Sequence, residues 1–186
     1  MKLRFRIVAS LLAVVLTGCV TVNVPESPVE PTSSASTFSA TDVMFAQMMI
    51  PHHQQAIDMS NLALATSTDP DIIALATEIK AAQGPEIDQM TSWLNEAGAS
   101  VNGGDHAGHM NMDGMLSEQE MTLLSNSVGA EFDRLFLEGM ILHHEGAIMM
   151  ARMIQDSTRD EVQALNLAIT TTQREEIELM QGLLAR

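Results

Sequence analysis

Two pairs of adjacent histidines stand out in this 186-residue chain: His52-His53 and His143-His144, 91 positions apart. Each pair lies in an otherwise apolar run that also carries sulfur, with Met48 and Met49 before the first and Met140 before the second. Further along each half comes a carboxylate followed four residues later by methionine: Glu86 with Met90, and Glu176 with Met180. Imidazole nitrogen suits copper, zinc and nickel, and thioether sulfur suits Cu(I). A buried imidazole or carboxylate costs several kcal/mol unless it is paired or bonded to a metal. Two readings follow: a His–Glu pair in each half that fixes helix register, or a metal site with nitrogen, oxygen and sulfur donors. Methionine alone does not decide between them, because it is also a flexible core filler, and Met59, Met121, Met150 and Met153 read as packing. A third cluster, His106, His109, Met110, Met112 and Met115, sits in a glycine-rich stretch with no core to fill. That composition suits capture of Cu(I) or Cu(II).

The elements that must position these residues come from an internal duplication. Asp42, Phe45, Met49, Ile50, His52, His53, Ala56, Ile57 and Met59 recur, at an offset of 91, as Asp133, Phe136, Met140, Ile141, His143, His144, Ala147, Ile148 and Met150. Gln83, Glu86, Ile87 and Met90 recur at an offset of 90 as Gln173, Glu176, Ile177 and Met180. Phe45, Met49, His52, Ala56 and Met59 alternate steps of four and three, the period of one helical face. Ile72, Ala76, Ile79, Gln83, Glu86, Met90 and Trp93 form the next stripe, with a kink expected at Gly84-Pro85. The second half repeats the scheme with Phe136, Met140, His143, Ala147, Met150 and Ile154, then Val162, Leu165, Ile169, Gln173, Glu176, Met180 and Leu183.

Each half therefore predicts a helical hairpin, and the two predict an all-α four-helix bundle. With the first turn near residues 68 and 69, His52 lies level with Glu86 and Gln83; by the same count His143 lies level with Glu176 and Gln173. If the hairpins pack about a pseudo-twofold axis, a His/Gln/Glu layer and a methionine layer from each half converge in the interior. Adjacent helical residues point about 100° apart, so His52 and His143 sit squarely in the stripes and His53 and His144 flank them.

The amino terminus reads as an address. Lys2, Arg4 and Arg6 precede an apolar run from Ile7 to Leu16, too short and too close to the start for an ordinary spanning helix. Leu16-Thr17-Gly18-Cys19 follows and resembles a bacterial lipobox, with Cys19 as the lipidated residue. Residues 1–18 are then a signal peptide and 19–40 a tether rich in proline and serine. Residues 41–186 form the bundle: 41–98 the first hairpin, 99–116 the His/Met-rich loop and 117–186 the second hairpin. Loss of the leader removes three of nine basic residues and no acid, taking the net charge from −15 to −18. Such a surface argues against nucleic-acid binding. A single cysteine excludes an intramolecular disulfide, and 3% aromatic residues with no tyrosine argue against a large sheet.

The duplicated His-His blocks resemble the CopM-like family, catalogued largely as a domain of unknown function and often found in bacterial envelopes. The resemblance covers residues 41 to 185. It implies a ferritin-like four-helix bundle, copper binding and copper tolerance, and it points to His52, His53, His143 and His144 with Met48, Met49 and Met140. Leu142 departs from the proline usual there, so any backbone kink should differ between the halves. The expected function is a lipid-anchored, extracytoplasmic protein that binds copper or another soft metal ion for sequestration, tolerance or relay, facing the periplasm or the exterior. No nucleophile with a base, phosphate loop or nucleotide fingerprint occurs, so no enzyme is expected. The alternative is a non-catalytic envelope bundle with a structural His/Glu/Met core that binds another protein or a second copy. A di-iron oxidase is disfavoured, because that class uses Glu-x-x-His and the chain has none.

Overall fold

The computed structural model describes residues 38–101 and 112–186. The predicted leader, Cys19, nearly all of the tether, and His106, His109 and Met110 lie outside the described residues. Among those described there are five α-helices and no strand: α1 (Ala40–Thr66), α2 (Pro70–Glu96), α3 (Glu118–Asn126), α4 (Gly129–Ala151) and α5 (Asp160–Leu184). The four long helices are the two expected hairpins. None of the described helices is long and apolar enough to cross a membrane.

Local chemistry explains the boundaries. Ser39 caps α1 by accepting from the Asp42 N–H at 3.1 Å, while the Asp42 carboxylate accepts from the Ser39 N–H at 2.9 Å. This reciprocal box satisfies two of the donors that a helix start leaves free. Asp69 caps α2, and Pro70 follows at a position where its missing N–H has no partner to lose. The α1–α2 turn thus occupies residues 67–69, as counted from the sequence. Pro51 and Pro85 lie inside α1 and α2 on exposed positions, where water can take the carbonyl that each proline leaves free. At Gly84-Pro85, where a kink was expected, α2 continues as one helix. After α4 the chain tightens into a 3-10 turn, Arg152–Ile154, before α5.

The short helix α3 has no counterpart in the four-helix expectation. It is held by its own Ser117–Glu120 capping box and buries one residue, Leu124, against the bundle.

Every residue in the four predicted stripes is buried except Glu86, which is half-buried. They form two apolar clusters. One gathers Phe45, Met49, Met90 and Trp93 with Met150, Ile154, Val162 and Leu165. The other gathers Met59, Ile79, Phe132, Phe136 and Met140 with Met180 and Leu183. On each long helix the segment between the clusters carries the polar residues: His52 and His53, Gln83, His143 and His144, Gln173 and Glu176. A fully buried Phe, Met or Ile contributes about 1.5–3 kcal/mol. The two clusters thus clamp a polar layer at mid-height.

Candidate metal centre

All four histidines of the layer are fully buried. The outer two meet the carboxylates of their own hairpins: His53 Nε2 lies 2.7 Å from Glu86 Oε2, and His144 Nε2 lies 2.6 Å from Glu176 Oε2. The inner two face each other across α1 and α4, with ring centroids 3.8 Å apart and planes inclined by 39°. Counting residues gives the height, and the geometry adds the partner: the glutamates pair with the flanking histidines and not with those central to the stripe. The turn of about 100° per residue sends one imidazole of each pair toward the hairpin partner and the other toward the opposite hairpin.

The hydrogen-bond partners fix the inner tautomers. His143 Nε2 lies 2.9 Å from the His52 carbonyl, and His52 Nε2 lies 3.2 Å from the Asp113 carbonyl. A carbonyl only accepts, so both Nε2 atoms carry the proton and both Nδ1 atoms are bare in the neutral ring. Burial keeps these rings neutral. Desolvation, reinforced by the charge of His53, pushes His52 down to about 3; desolvation with His52, His144 and His53 pushes His143 well below the ordinary value.

On all four histidines the Nδ1 atom is buried with no hydrogen-bond partner. Buried polar atoms are normally satisfied, and each unsatisfied one costs about 1–3 kcal/mol. A ring whose Nε2–H is held by a carboxylate or carbonyl while Nδ1 stays open is also the arrangement of a metal-binding imidazole with its orienting partner. Bare imidazole nitrogen is the donor type that copper, zinc and nickel accept. Gln83 and Gln173, prominent in the stripes but not singled out as donors, add to the layer: both amide atoms of Gln83 and the Gln173 oxygen are buried and unpartnered.

The sulfurs are placed differently from the expectation. Met49 and Met90 belong to one apolar cluster, and Met140 and Met180 to the other. The hairpins run antiparallel about the layer, so their methionines flank it on opposite sides instead of converging. Met48 is half-buried at the edge of the first cluster. Met112 and Met115 are half-buried in the connection between the two hairpins. Among the described residues, no three His, Cys, Asp or Glu side chains are gathered as a closed metal cage.

A feature absent from the sequence reading completes the site. Residues 113–116 cross the layer as a strap. Gln55 grips it at both backbone groups of Leu116, accepting from N–H at 2.8 Å and donating to the carbonyl at 2.9 Å. On the other side the strap touches the α4 backbone. A Cβ on Gly146 would lie 1.9 Å from the Asp113 oxygen, and one on Gly114 (φ +83°) would lie 2.3 Å from the Leu142 oxygen. The available signal was the repeat itself, which carries Gln55 in one half and Gly146 at the same position in the other.

Residues 42–184 match the family model described as Domain of unknown function (DUF305). Among solved structures, the chain is similar to a DUF305 fragment from Deinococcus radiodurans, with 36% identity and a TM-score of 0.73, covering 80% of this chain and 97% of that one. It is similar also to CopM in Cu(I)-bound form, with 33% identity and a TM-score of 0.65 over 78% of this chain and 96% of that one. CopM has been solved in Cu(II)-bound and silver-bound forms as well. A curated relative, an uncharacterized protein of Acanthamoeba polyphaga mimivirus, is 44% identical over 55 residues, or 30% of this chain. The match spans only 36% of that protein's length.

Proposed function

The chain belongs to the DUF305 family, and we propose that it binds copper at the central imidazole layer as a non-catalytic protein lipid-anchored outside the bacterial cytoplasm. The observation that carries this reading is the set of four buried imidazoles, each engaged at Nε2 and open at Nδ1. The copper-bound and silver-bound forms of CopM support a soft ion. The basic start, the short apolar run and Cys19 support the anchor and the location. Uptake without chemistry fits sequestration, tolerance or relay of the ion, and the His/Met-rich stretch around His106 and His109 is suited to its first capture.

The test is competition for Cu(I) against a chromogenic chelator. The wild-type protein should withdraw the ion, and replacement of His52, His53, His143 and His144 by Ala should weaken uptake by more than about 100-fold. A wild-type protein that leaves the chelator complex intact overturns the copper reading. Metal analysis with and without residues 103–111, a deletion that leaves the strap at 113–116 in place, separates the contribution of the loop from that of the bundle.

A second reading draws on the geometry of the pairs. Because the described residues form no closed cage, the two His–Glu pairs can serve as register pins in a bundle that binds an envelope protein or a second copy. If the four-alanine variant stays folded and retains full biological effect, this reading replaces the first.

A further inference from the structure

We propose that Gln55 is a positioning residue: by clamping the strap at Leu116 it holds the Asp113 carbonyl against His52 Nε2, and so presents His52 Nδ1 as the atom that meets an ion. The inference rests on the copper reading for its purpose but not for its geometry. Three contacts make the device. Gln55 binds both backbone groups of Leu116. Asp113, three residues earlier, accepts from His52, which lies one helical turn before Gln55. Gly146, at the repeat position of Gln55, gives the strap its clearance on α4. One position of the ancestral repeat has thus diverged in two directions, a long amide that grips and a missing side chain that admits, and both serve the same four residues of chain.

The consequence is a choice of nitrogen. A neutral imidazole exchanges its proton between Nδ1 and Nε2 unless a partner selects one. His143 is selected by a helix carbonyl that cannot leave, the His52 carbonyl. His52 is selected by a carbonyl that stays only while the strap stays. The first-half imidazole is therefore dependent on Gln55 in a way that the second-half imidazole is not.

The experiment is nitrogen-15 NMR of the histidine rings in the metal-free full chain, with Gln55→Met and Gln55→Glu. Met keeps the size and loses both hydrogen bonds, whereas Glu keeps an acceptor for the Leu116 N–H and loses the donor. In the wild type His52 should show a pyrrole-type Nε2 and a pyridine-type Nδ1. In Gln55→Met the two signals should move toward averaged values, in Gln55→Glu part of the way, and His143 should stay unchanged in both. Cu(I) affinity should fall about 10-fold to 100-fold in Gln55→Met. A variant with lowered Tm but an unchanged His52 tautomer overturns the proposal and leaves Gln55 as a simple staple. Loss of the His143 signature would report unfolding of Gln55→Met, and Gln55→Glu then decides by the same criterion. A wild type that takes up no Cu(I) sinks the copper reading while the tautomer result, read without metal, stands or falls by itself.

Discussion

The two hairpins hold the same residues at mid-height and use them unequally. The outer histidines are treated alike: His53 with Glu86 and His144 with Glu176, at nearly the same distance. The inner histidines are not. His143 donates to the backbone of the opposite hairpin, while His52 donates to a strap that has no counterpart among the described residues on the other side. The apolar stripes and the outer pairs keep the symmetry of the duplication because both halves need the same packing. The symmetry fails where the connection between the halves, necessarily present once, lies across the bundle. A repeat protein with one linker has one distinct face, and in this chain that face covers one member of the imidazole pair.

The largest expected effect comes from protonating that pair. His52 is lowered to about 3 and His143 well below the ordinary 6.5, chiefly by desolvation. Below pH 6.5 the unfolded chain therefore binds protons that the folded chain refuses. Stability is full above that value and declines as pH falls, by about 1.4 kcal/mol per pH unit for each imidazole. Urea unfolding should show lower stability at pH 5 than at pH 7, by about 2 kcal/mol through His52 and by a further loss of the same sign through His143. Replacing both with Gln should remove that difference. A double variant as acid-sensitive as the wild type would assign the effect elsewhere.

The outer pairs offer a sharper test of equivalence. Glu176→Ala leaves the His144 Nε2–H buried without an acceptor, at a cost of about 2–3 kcal/mol. Glu86→Ala should cost less, about 1–2 kcal/mol, because its side chain is 17% exposed against 10% for Glu176 and water can reach the vacated place. Chemical denaturation of the two variants measures the gap. Equal losses would mean that the two pairs are energetically alike in spite of their exposure.

Much of this was legible in the residues themselves. The stripe positions, the hairpin turn and the burial of both histidine pairs follow from helical spacing and from the duplication. The partners of the glutamates were not legible, since counting from a turn yields height along a helix but not direction around it. Met49, Met59, Met90, Met140, Met150 and Met180 are buried, as their stripe positions imply, while Met48, Met121 and Met153 are half-buried. The grouping of the buried ones depends on the antiparallel sense in which the hairpins meet. The nine residues of α3 give too short a periodic signal to stand out, and their single buried leucine depends on tertiary contact. The strap was hidden for a related reason: nothing in Asp113-Gly114-Met115-Leu116 specifies its partner. The two blocks differ at several positions, and the change from Gln55 to Gly146 is the one that the strap uses at both ends.

The smallest expected effect concerns another pair of repeat positions, Asp42 and Asp133. Asp42 closes the capping box of its own helix with Ser39. Asp133 does not cap α4, whose start at Val128 has no side-chain cap. It accepts instead from the Ser67 hydroxyl at 2.6 Å, just beyond the end of α1. The same residue in the same repeat thus secures opposite ends of one helix. Alanine at either position should cost about 1 kcal/mol, the usual scale for a cap or a single hydrogen bond. Amide hydrogen exchange separates the two losses by place. Asp42→Ala should speed exchange in the first turn of α1, around Val43 and Met44. Asp133→Ala should speed it at Ser67 and Asp69 while leaving the start of α1 protected. If Asp133→Ala instead loosens the first turn of α4, the aspartate is acting on its own helix after all. The divergence of the two halves would then be confined to the strap.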